Sequence, residues 1–218
     1  MYCSEECRSS SWDESHYIEC SILPTLQKLE ISELSFLVLR VVIKACETND
    51  LKNILTFLEA EDNVEEMKGF NNKGAYSSSD YSSIYWLEAH SEKRITEDLF
   101  IRSLYAAYML HCLETMTDFF TGIDVNQYKY RVGGLLLRHF QNLLINNYCI
   151  TESLISKEKN LTDIELLGNV TDLGIAVYIM LSLLNHSCDP NAHRTSHRGD
   201  TSVLRAIAPI AAGEQVIL

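Results

Sequence analysis

The feature that most narrows the folds open to this chain is a change of apolar rhythm near residue 148. Before it, apolar residues recur every three or four positions: Leu34, Leu37, Val38, Val41 and Ala45, with Phe36, Leu39 and Ile43 on a second face, then Ile101, Leu104, Tyr105, Tyr108 and Cys112, then Val132, Leu135, Leu136, Phe140, Leu143 and Leu144. That spacing predicts buried helices, the first of them covered on two sides. A further helix is expected from residue 49 or 50 through Leu55 and Leu58, and the polar stretch 61–83 reads as a linker. After residue 148 come short β-like runs at 148–155, 192–197, 202–206 and 215–218, with Arg198, Gly199 and Asp200 as a hairpin turn. Helices followed by small strands make an α+β pattern, a helical region packed on a small β-rich core.

Charge and composition exclude several classes. With 18 basic and 30 acidic residues the formal charge is -12, which opposes the phosphate neutralisation behind most nucleic-acid affinity, so no direct nucleic-acid binding is expected. An acidic surface suits a basic peptide, although a solvated acidic face accounts for the same numbers. The longest apolar run, 175–184, is broken by Ser182 and falls short of the roughly 20 residues of a membrane span. The first twenty residues lack a basic start and an apolar core, so no secretory signal is expected. The seven cysteines are odd in number and four are scattered, which favours metal ligands or reduced thiols over a disulfide framework. The absence of a dense basic run leaves nucleus and cytoplasm both open.

Two motifs carry chemistry. Near the start, Cys3 and Cys7 form a C-x3-C pair, and His16 and Cys20 an H-x3-C pair, spacings that suit a structural zinc ion. Ser11 is placed to cap a short helix from Trp12 to about Cys20, and Pro24 suits a chain leaving it. The segment from Tyr2 to Cys7, with Trp12, His16 and Cys20 following, resembles the second half of a MYND zinc finger. Further on, Asn185-His186-Ser187-Cys188-Asp189-Pro190-Asn191 looks like the signature of SET-domain methyltransferases. The run from Arg205 through Ala206 and Ile210 to Gly213-Glu214 sits where that family carries its arginine and Gly-Glu pair. Read without the family, an amide and an imidazole at an apolar-to-polar boundary suit a polar small molecule, and the same residues could simply cap a turn.

The resemblance is to the SET and MYND domain-containing protein-lysine methyltransferases. It implies residues 1–20 as the C-terminal half of a MYND finger, 21–131 as a mainly helical SET insert and 132–218 as the C-terminal part of a SET domain. It implies S-adenosylmethionine as cofactor, with Asn185 and His186 contacting it and Ser182 and Leu184 lining the pocket. Asn146 is a further cofactor candidate, a helix-ending asparagine being the alternative, and Glu88 and His90 fall where relatives approach the cofactor. Zinc would be held by Cys3, Cys7, His16 and Cys20. Cys188, a zinc ligand in close relatives, is expected to be a buried thiol, and Asp189 and Pro190 to fix the turn. The catalytic residue is unassigned, because the family's channel tyrosine would follow Leu218. A protein or histone lysine is the implied substrate, with partner proteins engaged through a complete finger. The expectation is a weakly active or inactive piece of such an enzyme, the alternative being a non-enzymatic interaction module.

Overall fold

The computed structural model describes residues 2–29, 31–49, 69–70, 75–153, 170–197 and 201–218. The expected helix through Leu55 and Leu58 and the turn at Arg198, Gly199 and Asp200 lie outside them. The chain divides into two compact units, Met1–Ile145 and Asn146–Leu218.

The first unit is helical. Helix α1 (Glu5–Ser11), a π-helical turn (Trp12–His16) and α2 (Tyr17–Lys28) follow one another without a break. The start is set by Ser4, whose side chain accepts from the Cys7 amide at 3.2 Å, with Glu5 and Glu6 placed favourably in the first turn. Ser11 therefore caps nothing, contrary to the sequence reading, and Pro24 lies inside α2. The helix tolerates that proline, whose cost is about 3 kcal/mol in a helix interior, because Ile22 and Leu26 on either side of it are fully buried. Glu19 of α2 is buried and receives two hydrogen bonds from Arg40, at 2.8 and 2.7 Å. Burial opposes its ionisation, but the guanidinium prevails and holds the carboxyl below its ordinary pKa.

Arg40 belongs to α3 (Glu33–Asn49), where Val38, Leu39, Val42 and Ile43 are fully buried, giving the expected two covered faces. After the undescribed stretch comes α4 (Tyr81–Tyr85), capped by Asp80, which accepts from the Ser82 amide at 3.0 Å. Then α5 (Thr96–Met116) and α6 (Val125–Ile145) pack along one another, and α6 also packs on α3. The α6 stripe is as expected except that Leu144 is exposed. On α5 the expectation holds only in part: Cys112 is buried and Tyr105 and Tyr108 are half-buried, but Ile101 and Leu104 are exposed, and the inward face also takes in Ala106, Met109 and Leu113. Nearer the start of α5 that same face is polar: Arg102 is bound to Asp98 at 2.8 and 2.6 Å and donates to the Phe140 carbonyl at 3.1 Å. An apolar-only pattern cannot register a face that begins in an arginine.

A polar cluster joins α4 to α6. His139 is fully buried, with Nε2 2.7 Å from the Tyr81 hydroxyl and Nδ1 3.2 Å from Oδ1 of Asn142, whose amide donates to the Ile84 carbonyl at 2.8 Å. Because Asn142 uses its nitrogen on Ile84, its oxygen accepts from His139, which places the ring proton on Nδ1 and makes Tyr81 the donor to Nε2. Burial lowers the His139 pKa to about 4.

The second unit holds two antiparallel pairs. Strand β1 (Tyr148–Ser153) pairs with β2 (Val170–Ala176), with a register shift between Ile150 and Thr151, and β3 (Ala192–His197) pairs with β4 (Thr201–Ala206). Strand β2 was not expected, because Asp172 and Gly174 hide its β character. Arg194 of β3 ties the pairs together, donating to the Cys149 carbonyl at 3.0 Å with its guanidinium 5.3 Å from the Tyr148 ring centroid. Residues 215–218, read as a strand, make one bridge and several backbone bonds. No helix among the described residues is long and apolar enough to cross a membrane.

Candidate functional site

The signature loop is built by backbone bonds between segments far apart in sequence. Asn185 bridges in parallel to Ile217: the Leu218 amide donates to the Asn185 carbonyl at 3.0 Å, and the Ser187 amide donates to the Leu218 carbonyl at 2.6 Å. The Ala192 amide reaches the Ile217 carbonyl at 3.1 Å. Asn191, buried, completes the tie with its side chain, which donates to the Gln215 carbonyl at 2.8 Å and accepts from the Ile217 amide at 3.0 Å. Its own carbonyl accepts from the Ile207 amide at 2.9 Å. The turn before this segment depends on Gly213, whose φ of +86° is open to glycine at little cost, and on the Glu214 carboxylate, which accepts from the Ala211 amide at 2.8 Å.

With so much of the loop backbone bound, its leading side chains are left outward. Asn185 and His186 are exposed, and the Asn185 amide group has no hydrogen-bond partner among the described residues. Just before them, a short 3-10 turn (Leu181–Leu183) anchors on buried Leu181 and leaves Ser182 and Leu184 half-buried. The Ser182 amide and hydroxyl both donate to the Tyr178 carbonyl, at 3.0 and 3.3 Å. Asn146 is buried directly after the last residue of α6. The four candidates, Ser182, Leu184, Asn185 and His186, thus fall within five residues around one bend, and Asn146 opens the same unit.

Two expectations for the loop are corrected. Cys188 is exposed rather than buried, with Sγ 3.9 Å from His186 Nε2, because the inward bonds are made by residues 185, 187, 191 and 192. The turn is fixed by Ser187 rather than Asp189: its hydroxyl donates to the Asp189 carbonyl and accepts from the Asp189 amide, both at 3.1 Å.

Glu88 and His90 lie in the first unit, on the loop after α4. The Glu88 carboxylate accepts from the Ala89 and His90 amides at 2.8 and 2.9 Å. These bonds, with the His90 amide's the larger, hold its pKa below the ordinary range, so the carboxylate stays ionised. His90 has φ +49° and is the only described non-glycine residue in the left-handed region, a conformation costing of the order of 1–3 kcal/mol that tends to persist where function needs it.

The N-terminal donors do not gather. Cys3, Cys7 and Cys20 are exposed, and His16 lies 3.6 Å from Glu19 and edge-on to Tyr2 and Trp12. Among the described residues no three His, Cys, Asp or Glu side chains converge on an ion-sized position. A cavity of about 510 Å³ lies against this helical run, lined by Tyr2, Glu5, Arg8, Ser9, Trp12 and His16, and it includes none of the three thiols. The donor types suit zinc but their placement does not fit a closed site.

The supports that sequence reasoning missed are Arg94, Arg138 and Gln141 around the Glu88 loop, which nothing local in the sequence singles out. Asn191 and Glu214 stood within the two quoted motifs, but the bonds they make were not read from them.

Comparison with known proteins gives a family. A model of the SET domain matches residues 5–218. The mouse protein named protein-lysine N-methyltransferase SMYD4 is 26% identical over 264 residues, covering 99% of this chain and 31% of its own length. The zebrafish SMYD4 is also 26% identical, over 87% of this chain and 28% of its own length. The mouse histone-lysine N-methyltransferase SMYD3 is 22% identical over the whole chain and 39% of its own length. The chain spans about a third of the length of these relatives.

Proposed function

The chain belongs to the SET domain family, and from that premise we propose that it forms part of a protein-lysine N-methyltransferase whose cofactor, S-adenosylmethionine, is held at Asn185 and His186. The observation that carries this reading is the outward presentation of those two side chains on a loop whose backbone is locked to residues 215–218. The fit to the cofactor is chemical. An exposed amide offers both donor and acceptor to an amino-acid carboxylate and ammonium or to a purine edge, and the imidazole adds a second polar group. Leu184 and Ser182, half-buried beside them, supply the apolar wall and hydroxyl that a nucleoside pocket needs.

When bound, S-adenosylmethionine supplies an electrophilic methyl group on sulfonium sulfur. The protein's part is to hold it in line with a neutral lysine amine and to keep water out. In this reading the bonds of Asn191 and of residues 217 and 218 pre-set the loop, so that binding does not have to order it. Asn146, in the same unit as Asn185, is a further contact on the cofactor. The substrate is a lysine in a protein, drawn by the acidic balance of the chain. Zinc at Cys3, Cys7, His16 and Cys20 has no part in this reading.

Calorimetric titration of the chain with S-adenosylmethionine tests it. Binding is expected, and Asn185→Ala should weaken it about tenfold or more, the loss of a hydrogen bond to a charged group. Unchanged affinity in that variant would remove Asn185 from the site. Capture of protein partners with no cofactor binding at all would favour an interaction module instead.

A further inference from the structure

We propose that the cavity against the first helical run is a binding site for a methylated ammonium group, carried on a trimethylated lysine side chain. The choice of lysine rests on the reading of the chain as part of a lysine methyltransferase; the site itself stands on its own geometry.

The lining comes from one short stretch of sequence. Glu5, Arg8, Ser9, Trp12 and His16 recur at three- and four-residue spacing, so the unbroken run of α1 and the π-helical turn brings them to one face. Tyr2 closes the cavity from the segment before α1. Trp12 and His16 are the first and last residues of the π-helical turn, a departure from α geometry that recurs at functional sites.

Half of the lining side chains are rings. Tyr2 and Trp12 each meet the His16 ring edge-on, with centroids 6.3 and 5.8 Å away and interplanar angles of 71° in both pairs. Rings so steeply inclined wall a concave space that parallel stacking would close. They are also held from behind: His16 Nδ1 lies 3.6 Å from the buried Glu19 carboxylate, and the Tyr2 hydroxyl accepts from Ser11 at 3.4 Å. Trp12 nevertheless stays 48% exposed, a large apolar surface that an occupant of the cavity would cover.

The ring faces select the occupant. An aromatic face is negative and attracts a cation without any hydrogen bond, tryptophan most strongly. An unmodified lysine ammonium carries three donors and a tight hydration shell, which rings cannot replace. Methylation removes the donors and spreads the charge over apolar methyl groups, which rings can contact directly. The one cation in the lining, Arg8, is neutralised by its ion pair with Glu5 Oε1, and Glu5 Oε2 has no partner among the described residues. A volume of about 510 Å³ lies within the range of small-ligand sites and leaves room for the lysine stem behind the methylated head. A chain that helps to methylate lysine would then also hold the methylated form.

The test titrates the full chain with three synthetic peptides that differ at one side chain, followed by calorimetry and tryptophan fluorescence. One carries trimethyllysine, one unmodified lysine, and one the neutral isostere in which carbon replaces the ammonium nitrogen. The trimethyllysine peptide is expected to bind about tenfold or more tightly than either of the others. Trp12→Phe keeps a ring with a weaker face and should lower that affinity about threefold, and Trp12→Ala should abolish it, with far-ultraviolet dichroism unchanged. Equal affinity for the charged peptide and its neutral isostere, or no binding of the charged peptide, overturns the proposal. Choline is the fourth probe, and choline binding as tight as that of the peptide overturns the assignment to lysine. No methyl transfer is needed for any of these readings. Peptide binding without affinity for S-adenosylmethionine would leave the cage standing and sink the methyltransferase reading; the reverse result would sink the cage alone.

Discussion

The loop at Asn185 and the loop at Glu88 are both irregular backbone, and the protein immobilises them by opposite means. Around Asn185 the ties run mostly from backbone to backbone, with one asparagine side chain closing the arrangement. Around Glu88 the backbone carbonyls are met by arginine side chains, Arg138 from α6 and Arg94 from the extended segment before α5. Backbone ties are indifferent to most substitutions and leave the side chains of the loop free for a ligand. Side-chain ties depend on the identity of a few residues, often distant in sequence, and each of those residues becomes a point of failure. The first loop should therefore tolerate change nearly everywhere except at Ser187, Asn191, Gly213 and Glu214, and the second should be sensitive at Arg94 and Arg138, outside the loop itself.

The same contrast extends to the interiors, and acid should expose it most strongly. His139 is buried with a pKa of about 4, against roughly 6.5 in an unfolded chain, so the unfolded state binds the extra proton between those values. The stability this group contributes is complete above pH 6.5 and declines as the pH falls toward 4. The loss near pH 4.5 should reach about 2 to 3 kcal/mol. Amide exchange, corrected for its intrinsic pH dependence, should quicken in α4 and α6 over that window while β3 and β4 change little. Equal acceleration in both units would erase the contrast.

A smaller effect is expected at the asparagine knot. Asn191→Leu removes a donor and an acceptor from a buried position and should cost about 2 kcal/mol, read as a lower denaturant midpoint for the second unit. No shift would mean that the backbone bonds alone hold the loop. Smallest is Gly213→Ala: the added methyl meets nothing within 4 Å, so only the left-handed backbone is penalised, by about 1 kcal/mol. A larger loss would show that the turn is packed more tightly than it stands here.

What the sequence made legible follows the same division. The α+β order, the helices α3, α5 and α6, and the hairpin of β3 and β4 were readable because each rests on local periodicity or on one contiguous motif. The inner face of α5 was misread because Arg102 and Asp98 occupy part of it, and burial of a paired charge leaves no apolar trace. Pro24 was taken for an ending because its cost is local, while the burial of Ile22 and Leu26 that offsets it is tertiary. The supports at Arg94, Arg138 and Gln141 were invisible for a related reason. Their partners lie up to 53 residues away, and carbonyls carry no sequence signature.

One feature of the second unit bears on how the molecule comes into being. Residues 185–192 receive their fastening bonds from residues 215–218, which a ribosome adds later. A nascent chain stalled before residue 215 has its motif fully translated and nothing to close it. This bend is thus among the last parts of this unit to take shape during synthesis, and helices in the first unit have the opportunity to form while it is still open.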